Sequence, residues 1–490
     1  MRLLIDTNVL IALEPVTLGD REQGLVNAAE LNRLASAQGH QLCVHPETAA
    51  DLARDRDATR AEIRSELLGK YVALNSPPPI TAHLENVVGR VAIGSHDWAD
   101  HALLAAVLGD AVDFLVTEDR GIHAKARRLE LENRVLTINE AVSTLRDLYD
   151  TTPETPPLVR AIECHQLDSS DPIWSSFREE YDKFDVWFAG CKRKGRPAWV
   201  VEVGNRYAGI AIVKTDQDPT EYGLAGKSMK LCSLKVCDDF NGNRYGELLL
   251  RAVFDYAFEN SFENIVVTVF PNHWLLIGLL EAFGFNEHST NSVGEQVRLK
   301  RLAPSQAETD ELDGLEFHIQ FGPQAAKLVS GQTFIVPIMP RYHRQLFPEL
   351  EMAALDGCRP CGNSMRKAYL SHSGIRGILP GAVLLFYRSE DWRAVDVIGV
   401  VEDTLRSTEP VDIARFVGKS TVFDYQSIER FCEQGETLAL RFRQVVTLKS
   451  SDRLNYRALI ANGVIRDAPQ TVQSIAGGET WLTAKIQRLY

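Results

Sequence analysis

Cysteine, long apolar runs and positive charge are all scarce in this chain, and each shortage narrows what it can be. Eight cysteines among 490 residues are too dilute for a disulfide scaffold. Cys358-x-x-Cys361 is the only close pair, and without a second pair or two histidines beside it the signal for zinc is weak. No uninterrupted apolar run reaches the ~20 residues of a membrane-spanning helix. The opening Met1-Arg2-Leu3-Leu4-Ile5 meets Asp6 too early for a secretory leader. These absences predict a soluble, cytoplasmic protein with no membrane partner. Lys and Arg number 53 against 66 Asp and Glu, a formal charge of −13, which argues against general adhesion to nucleic acid. The deficit is uneven. Residues 1–150 carry 15 Lys/Arg against 23 Asp/Glu, whereas residues 358–450 carry 13 against 11. Internal repeats and low-complexity segments are missing too.

What is present is globular in composition, with 45% hydrophobic and 24% charged residues. The length suggests about three domains. Two stretches read as linkers: the proline-rich Asp150-Thr151-Thr152-Pro153-Glu154-Thr155-Pro156-Pro157 and the acidic segment from Ala303 to Glu311. They divide the chain into 1–149, 158–302 and 313–490. The expected fold class is multidomain α/β: a parallel α/β sheet, then an α+β domain, then a β-barrel with added helices. The middle part shows strand patterning at Pro197–Glu202, Tyr207–Lys214, Lys230–Val236 and Asn264–Phe270, with helices at Tyr245–Asn260 and Trp274–Phe283.

Four aspartates punctuate the first part. Asp6 ends the apolar run Leu3-Leu4-Ile5, and Asp119 follows Phe114-Leu115-Val116 by three residues. Asp51 and Asp100 fall on predicted helices. Ligands of open α/β sheets bind beyond the carboxyl ends of the strands. Carboxylates gathered there raise one another's pKa, and a hard divalent cation relieves the conflict. The segments Leu3–Leu13 and Phe114–Arg120 resemble PIN-domain ribonucleases, including toxins of toxin–antitoxin pairs, over about residues 1–145. The resemblance implies that Asp6, Asp51, Asp100 and Asp119 hold Mg²⁺ or Mn²⁺ and are the catalytic residues of RNA hydrolysis. It also implies a separate antitoxin as partner. Asp97 and Glu118 are close enough to be accessory ligands, but read first as a solvated helix-start acid and a turn acid. Lys125, Arg127 and Arg128 read as a solvated helix face.

In the middle part, the strand ending at Val236 leads through Asn241-Gly242-Asn243-Arg244-Tyr245-Gly246 into a leucine-rich helix. Backbone N–H groups at a helix opening suit an anion. With the later Asn264–Phe270, Asn272 and Leu279-Leu280-Glu281-Ala282-Phe283-Gly284-Phe285, this run resembles the GNAT acetyltransferases over about residues 160–300. The resemblance implies that Val236, Asn241, Gly242, Asn243, Arg244, Tyr245 and Gly246 bind acetyl-CoA, the turn cradling its pyrophosphate. Two positions depart from the family. Arg244 replaces the first glycine of the turn, and Leu280 stands where many members carry a tyrosine that protonates the leaving thiolate.

The third part has a Pro380-Gly381 turn feeding Val383–Tyr387, with further strands at Val395–Glu402 and Leu438–Gln444. It resembles PUA-like barrels of the ASCH and EVE type over about residues 332–475, which implies RNA or modified-base binding. Lys367, Arg376 and Arg388, with Tyr369 and Tyr387, are the expected contacts. The leading expectation is therefore a metal-dependent endoribonuclease with an acetyl-CoA-binding middle and an RNA-reading tail. The alternatives are an acetyltransferase acting on a protein or RNA-associated substrate, and a regulator without catalysis. A homodimer is compatible with the sequence, which leaves the oligomeric state open.

Overall fold

The structure, a computed structural model, describes residues 1–16, 25–54, 57–149, 159–350 and 360–487. The proline-rich linker and Cys358 lie outside the described residues. The chain divides into two compact units. The first comprises Met1–Thr151, Glu409–Lys419 and Phe423–Arg430; the second comprises Thr152–Thr408, Ser420–Val422 and Phe431–Tyr490.

The first unit is built on five parallel strands: β1 (Arg2–Ile5), β2 (Gln41–Val44), β3 (Val72–Ala73), β4 (Phe114–Val116) and β5 (Val135–Leu136). Their order is β3-β2-β1-β4-β5, with every pairing parallel. Parallel sheets bury both faces, and successive strand residues go to opposite sides. Leu3 and Ile5 accordingly pack in one apolar cluster with Phe114 and Val116, while Leu4 and Leu115 pack in another. The helices are α1 (Thr7–Leu13), α2 (Leu25–Ala37), α3 (Pro46–Leu52), α4 (Ala58–Leu67), α5 (Ala82–Val88), α6 (His96–Leu108), α7 (Arg120–Arg128) and α8 (Ile138–Tyr149). The late segment Glu409–Lys419 returns to this unit, where Arg415 Nη1 lies 3.0 Å from Asp110 Oδ1.

The second unit holds two mixed sheets. The first contains β6 (Val159–Glu163), β7 (Pro197–Val203), β8 (Arg206–Gln217), β9 (Ser228–Val236), β10 (Asn264–Val269), β11 (Asn286–Thr290) and β12 (Gln296–Arg301), in the order β11-β12-β10-β9-β8-β7-β6. Helices α9 (Ser175–Glu180) and α10 (Phe184–Arg193) precede β7. Helix α11 (Tyr245–Glu259) links β9 to β10, and α12 (Trp274–Ala282) follows β10. All pairings are antiparallel except β9 with β10, the one pair joined by a helical crossover. Leu249, Leu250, Val253 and Phe254 of α11 and Leu280 of α12 are buried with Val201, Leu231 and Val267 of the sheet.

The last sheet contains β13 (Thr333–Ile338), β14 (Arg366–Ser371), β15 (Val383–Arg388), β16 (Ala394–Ser407), β17 (Thr437–Thr447), β18 (Leu454–Asn455) and β19 (Gln473–Ser474). Its path is β14-β17-β16-β15-β13-β19, with β18 beside β16. Among the described residues the path runs from β14 to β19, with no pairing between these two end strands. The expected acidic linker differs. Ser305 and Glu308 form a reciprocal capping box that starts a helix at Gln306–Glu311, because a Ser and a Glu three residues apart satisfy two orphan N–H groups at once.

Candidate functional site

In the first unit, β1 and β4 run side by side with Ile5 opposite Val116, so Asp6 and Thr117 emerge together. Asp6 Oδ1 accepts from Thr7 N at 2.6 Å; its Oδ2 accepts from Asn8 Nδ2 at 2.6 Å and Thr117 Oγ1 at 2.7 Å. Burial raises its carboxyl from 3.8 to about 6 despite these donors, with Asp100 and Asp119 adding repulsion. Asp6, Asp51 and Asp100 line one pocket with Glu47 and His96. Asp119 does not line that pocket, yet it is near enough for its charge to repel both Asp6 and Asp100; its Oδ1 caps α7, accepting from Ile122 N at 3.0 Å. Of the four predicted acids, three line one pocket and the fourth, Asp119, lies close enough to act on two of them. Glu47, three residues beyond β2, and His96, the first residue of α6, were not among the predicted residues.

Two of the pocket's acids already have cationic partners. Lys125 Nζ lies 2.7 Å from Asp97 Oδ1 and 2.8 Å from Asp100 Oδ2. Its side chain is only 16% exposed, so it is a counter-ion and not part of a solvated face. Burial nonetheless leaves the Asp100 carboxyl above its ordinary value. Asp51 faces Arg54 at 3.0 Å and His96 at 2.9 Å. Glu118 accepts from Ile138 N at the start of α8. Carboxylates suit Mg²⁺ or Mn²⁺ in kind. Among the described residues, however, no three His, Cys, Asp or Glu side chains converge as a metal site. The residues present do not form a ready cage for the implied cation.

In the second unit, β9 carries a bulge. Ile212 of β8 pairs with Ser233 and Val213 with Leu231, leaving Cys232 between. Pairing of β9 with β10 stops at the same place, at Leu231 opposite Val267. Bulges end ladders and redirect strands. Among the described residues no strand pairs with Cys232–Val236 on the β10 side of β9, and its peptide groups there offer an open edge. That edge leads through the short helical turn Asp238–Phe240 to the predicted phosphate turn. Gly242 has φ +94° and Arg244 φ +58°. The second is a left-handed conformation costing a residue with a side chain roughly 1–2 kcal/mol. A Cβ on Gly246 would lie 3.1 Å from Leu279 Cδ2 of α12, so the turn is packed tightly against the next helix. Tyr245 is buried in the core and does not face a ligand from solvent.

The Arg244 side chain is 9% exposed and engaged. Nη1 lies 3.0 Å from Glu247 Oε1 and also donates to Ser364 Oγ, while Nη2 donates to Ser420 Oγ at 3.3 Å. The predicted acetyl-CoA residues are therefore contiguous, but one is committed to other partners. Leu280 is fully buried, so no proton donor stands at that position. Beyond β10, His273 Nε2 lies 2.8 Å from Glu180 Oε1, and Tyr181 packs on Phe270 with ring centroids 5.8 Å apart.

The predicted RNA contacts are corrected. Lys367 and Arg388 are each 1% exposed. Lys367 Nζ donates to Gly362 O at 3.0 Å, and Arg388 is paired with Asp391 at 2.6 Å. Arg376 is exposed and paired with Glu436 at 2.8 Å. Tyr387 is also buried. Two buried cations and a buried ring cannot stack on bases, so these residues do not form the expected reading surface. Period-2 alternation could not warn of this, because β15 is buried on both faces.

Residues 161–285 match the acetyltransferase (GNAT) family. No curated protein matches the chain. Among solved structures, an ASCH protein from Zymomonas mobilis shares 11% identity, covering 32% of this chain and 95% of its own, at a TM-score of 0.25. A Salmonella typhimurium protein described as an acetyltransferase, solved with its cofactor acetyl-CoA, shares 17% identity, covering 31% and 99%, also at 0.25. An N-acetyltransferase from Staphylococcus aureus shares 16% identity, covering 30% and 96%, again at 0.25.

Proposed function

We propose that the middle segment of this chain binds acetyl-CoA and transfers its acetyl group. The observation that carries the reading is the open β9 edge, Cys232–Val236, leading into the Asn241–Gly246 turn at the start of α11, inside the segment that matches the acetyltransferase family. An extended ligand with amide groups can pair with a strand edge, and a pyrophosphate suits N–H groups at a helix opening. The bound thioester would supply the activated acyl group. Val236 and the turn would hold the chain of the ligand. With Leu280 unable to protonate a thiolate, the His273–Glu180 pair beyond β10 is the available imidazole–carboxylate combination at that end of the sheet, an arrangement in which the acid orients the base. The test is calorimetric titration of the full chain with acetyl-CoA, beside thiol release in the presence of primary amines. Absence of binding at millimolar acetyl-CoA removes the reading.

A second reading concerns the first unit, and one observation favours it: Asp6, Asp51 and Asp100 share a pocket, and Asp6 is held near pKa 6. It is a Mg²⁺- or Mn²⁺-dependent ribonuclease restrained by an antitoxin partner. Lys125 and Arg54 on the acids, and the absence of converged ligands among the described residues, weigh against it. Cleavage of total RNA with Mn²⁺, lost in Asp6→Asn and with chelator, supports it; no cleavage ends it.

A further inference from the structure

One face of α11 is given over to the last sheet's lobe. Glu247 and Arg251 lie at i and i+4 on one face of α11, and Arg244 precedes its first residue in the turn. Glu247 Oε2 accepts from Ser364 Oγ at 2.7 Å and from Met365 N at 3.0 Å. Arg251 Nη2 donates to Ser364 O at 2.9 Å. Asn363 Nδ2 reaches the turn itself, donating to Asn243 O at 3.1 Å. Met365 is buried in the apolar cluster of the middle sheet. The strap Asn363–Met365, just before β14, therefore grips the phosphate turn and the first turns of α11 through five polar contacts and one apolar plug. Arg244 is central to it, with its Nη groups on Ser364 and Ser420 and its Nε buried without a partner. Glu247, 13% exposed, is held below the usual carboxylate range by Arg244 against the opposing effect of desolvation.

We infer that Ser364, Glu247 and Arg244 are positioning residues for the acetyl-CoA turn: the C-terminal lobe fixes the turn's conformation through Arg244. This rests on the acetyl-CoA reading above. It gives a reason for a side chain in a left-handed position where the resembling family has glycine. Arg244 anchors the turn from outside instead of contacting the phosphates. A glycine there would be free of strain but also free to move, and preorganisation is what a binding loop loses when it is untied.

The experiment is titration of acetyl-CoA into the full-length wild type and into Ser364→Ala, Ser364→Thr, Glu247→Gln and Arg244→Gly, each at a temperature where circular dichroism shows it folded. Ser364→Ala and Arg244→Gly are expected to weaken the Kd about ten-fold or more, the scale of one lost hydrogen bond to a charged group. Ser364→Thr, which keeps the hydroxyl, is expected to restore most of the affinity. A purely structural role would lower the melting temperature of Ser364→Ala and leave the Kd of the folded protein unchanged, and that result overturns the inference. So does tighter binding by Ser364→Ala, Glu247→Gln or Arg244→Gly, which would make the strap an obstruction. A wild type that binds nothing while every variant is equally silent removes the acetyl-CoA reading itself, a different failure from a binding wild type with indifferent variants.

Discussion

Asp6 shows how a single buried side chain carries a cost that the solvent pH can switch off. Its folded pKa of about 6 lies above the free value of 3.8, so the folded state holds a proton more tightly than the unfolded chain. Stability from this group is fully present below about pH 3.8 and is lost as pH rises through about 6. At pH 7 the ionised carboxylate is a burden of about 1–3 kcal/mol. Asp6→Asn keeps a good helix cap and removes the charge. It is expected to raise the melting temperature of the full chain at pH 7 and to leave it nearly unchanged at pH 4. Equal shifts at both pH values would show that burial is not what holds Asp6 up. The sequence disclosed Asp6 because it follows an apolar strand. It did not disclose that Lys125, read as solvated, would sit on Asp100 25 residues earlier, since that pairing depends on how α7 crosses α6.

The elements with regular patterns were legible, and those made by distant partners were not. Strands at 197–202, 207–214 and 264–270 and the helix at 245–260 are found within a few residues of their expected limits, because apolar alternation and a leucine stripe are local signals. Strand β14 was not, because Arg366, Lys367 and Tyr369 look like surface residues. Arg366 is covered through Glu402 of β16, which is 10% exposed and held at about 2 by Arg366, Arg443 and Arg441, while Lys367 donates to Gly362 O and Tyr369 to Pro337 O. Glu402 Oε1 lies 2.8 Å from Arg366 and 2.7 Å from Arg443. Removing one partner strands buried charge, so Glu402→Gln is expected to cost about 3–5 kcal/mol at pH 7, read by chemical denaturation. Because the folded pKa lies below the free 4.5, the wild type should lose this contribution only as pH falls from 4.5 toward 2. Gly399 makes a second element-scale prediction. A Cβ there would stand 2.7 Å from Phe442 Cδ2 and 3.2 Å from Arg443 O, so Gly399→Ala should destabilise the β16–β17 ladder by about 1–3 kcal/mol. A variant as stable as the parent would mean that Phe442 moves aside freely.

At the scale of the whole molecule, the division into units differs from what linkers suggest. The middle and last sheets belong to one compact unit, joined not only by the strap on α11. Lys300 of β12 is buried, with Nζ 2.9 Å from the Ile319 and Gln320 carbonyls of the helix Gly314–Phe321 that precedes the last sheet, and Arg443 of β17 donates to Ala282 O at 2.6 Å. Contacts that cross between sheets make their unfolding a shared event. A ligand that binds only the folded unit then protects all of it, by RT ln(1 + [L]/Kd), which is about 2.7 kcal/mol at a hundred-fold excess over Kd. Acetyl-CoA at that excess is expected to slow hydrogen exchange of the slowest amides both in β9 and β10, near the proposed site, and in β16 and β17, which do not touch it. Protection confined to residues 159–301, with β16 and β17 exchanging at their unliganded rate, would show that the two sheets open independently. The buried contacts between them would then be too weak to couple a cofactor site to the C-terminal lobe.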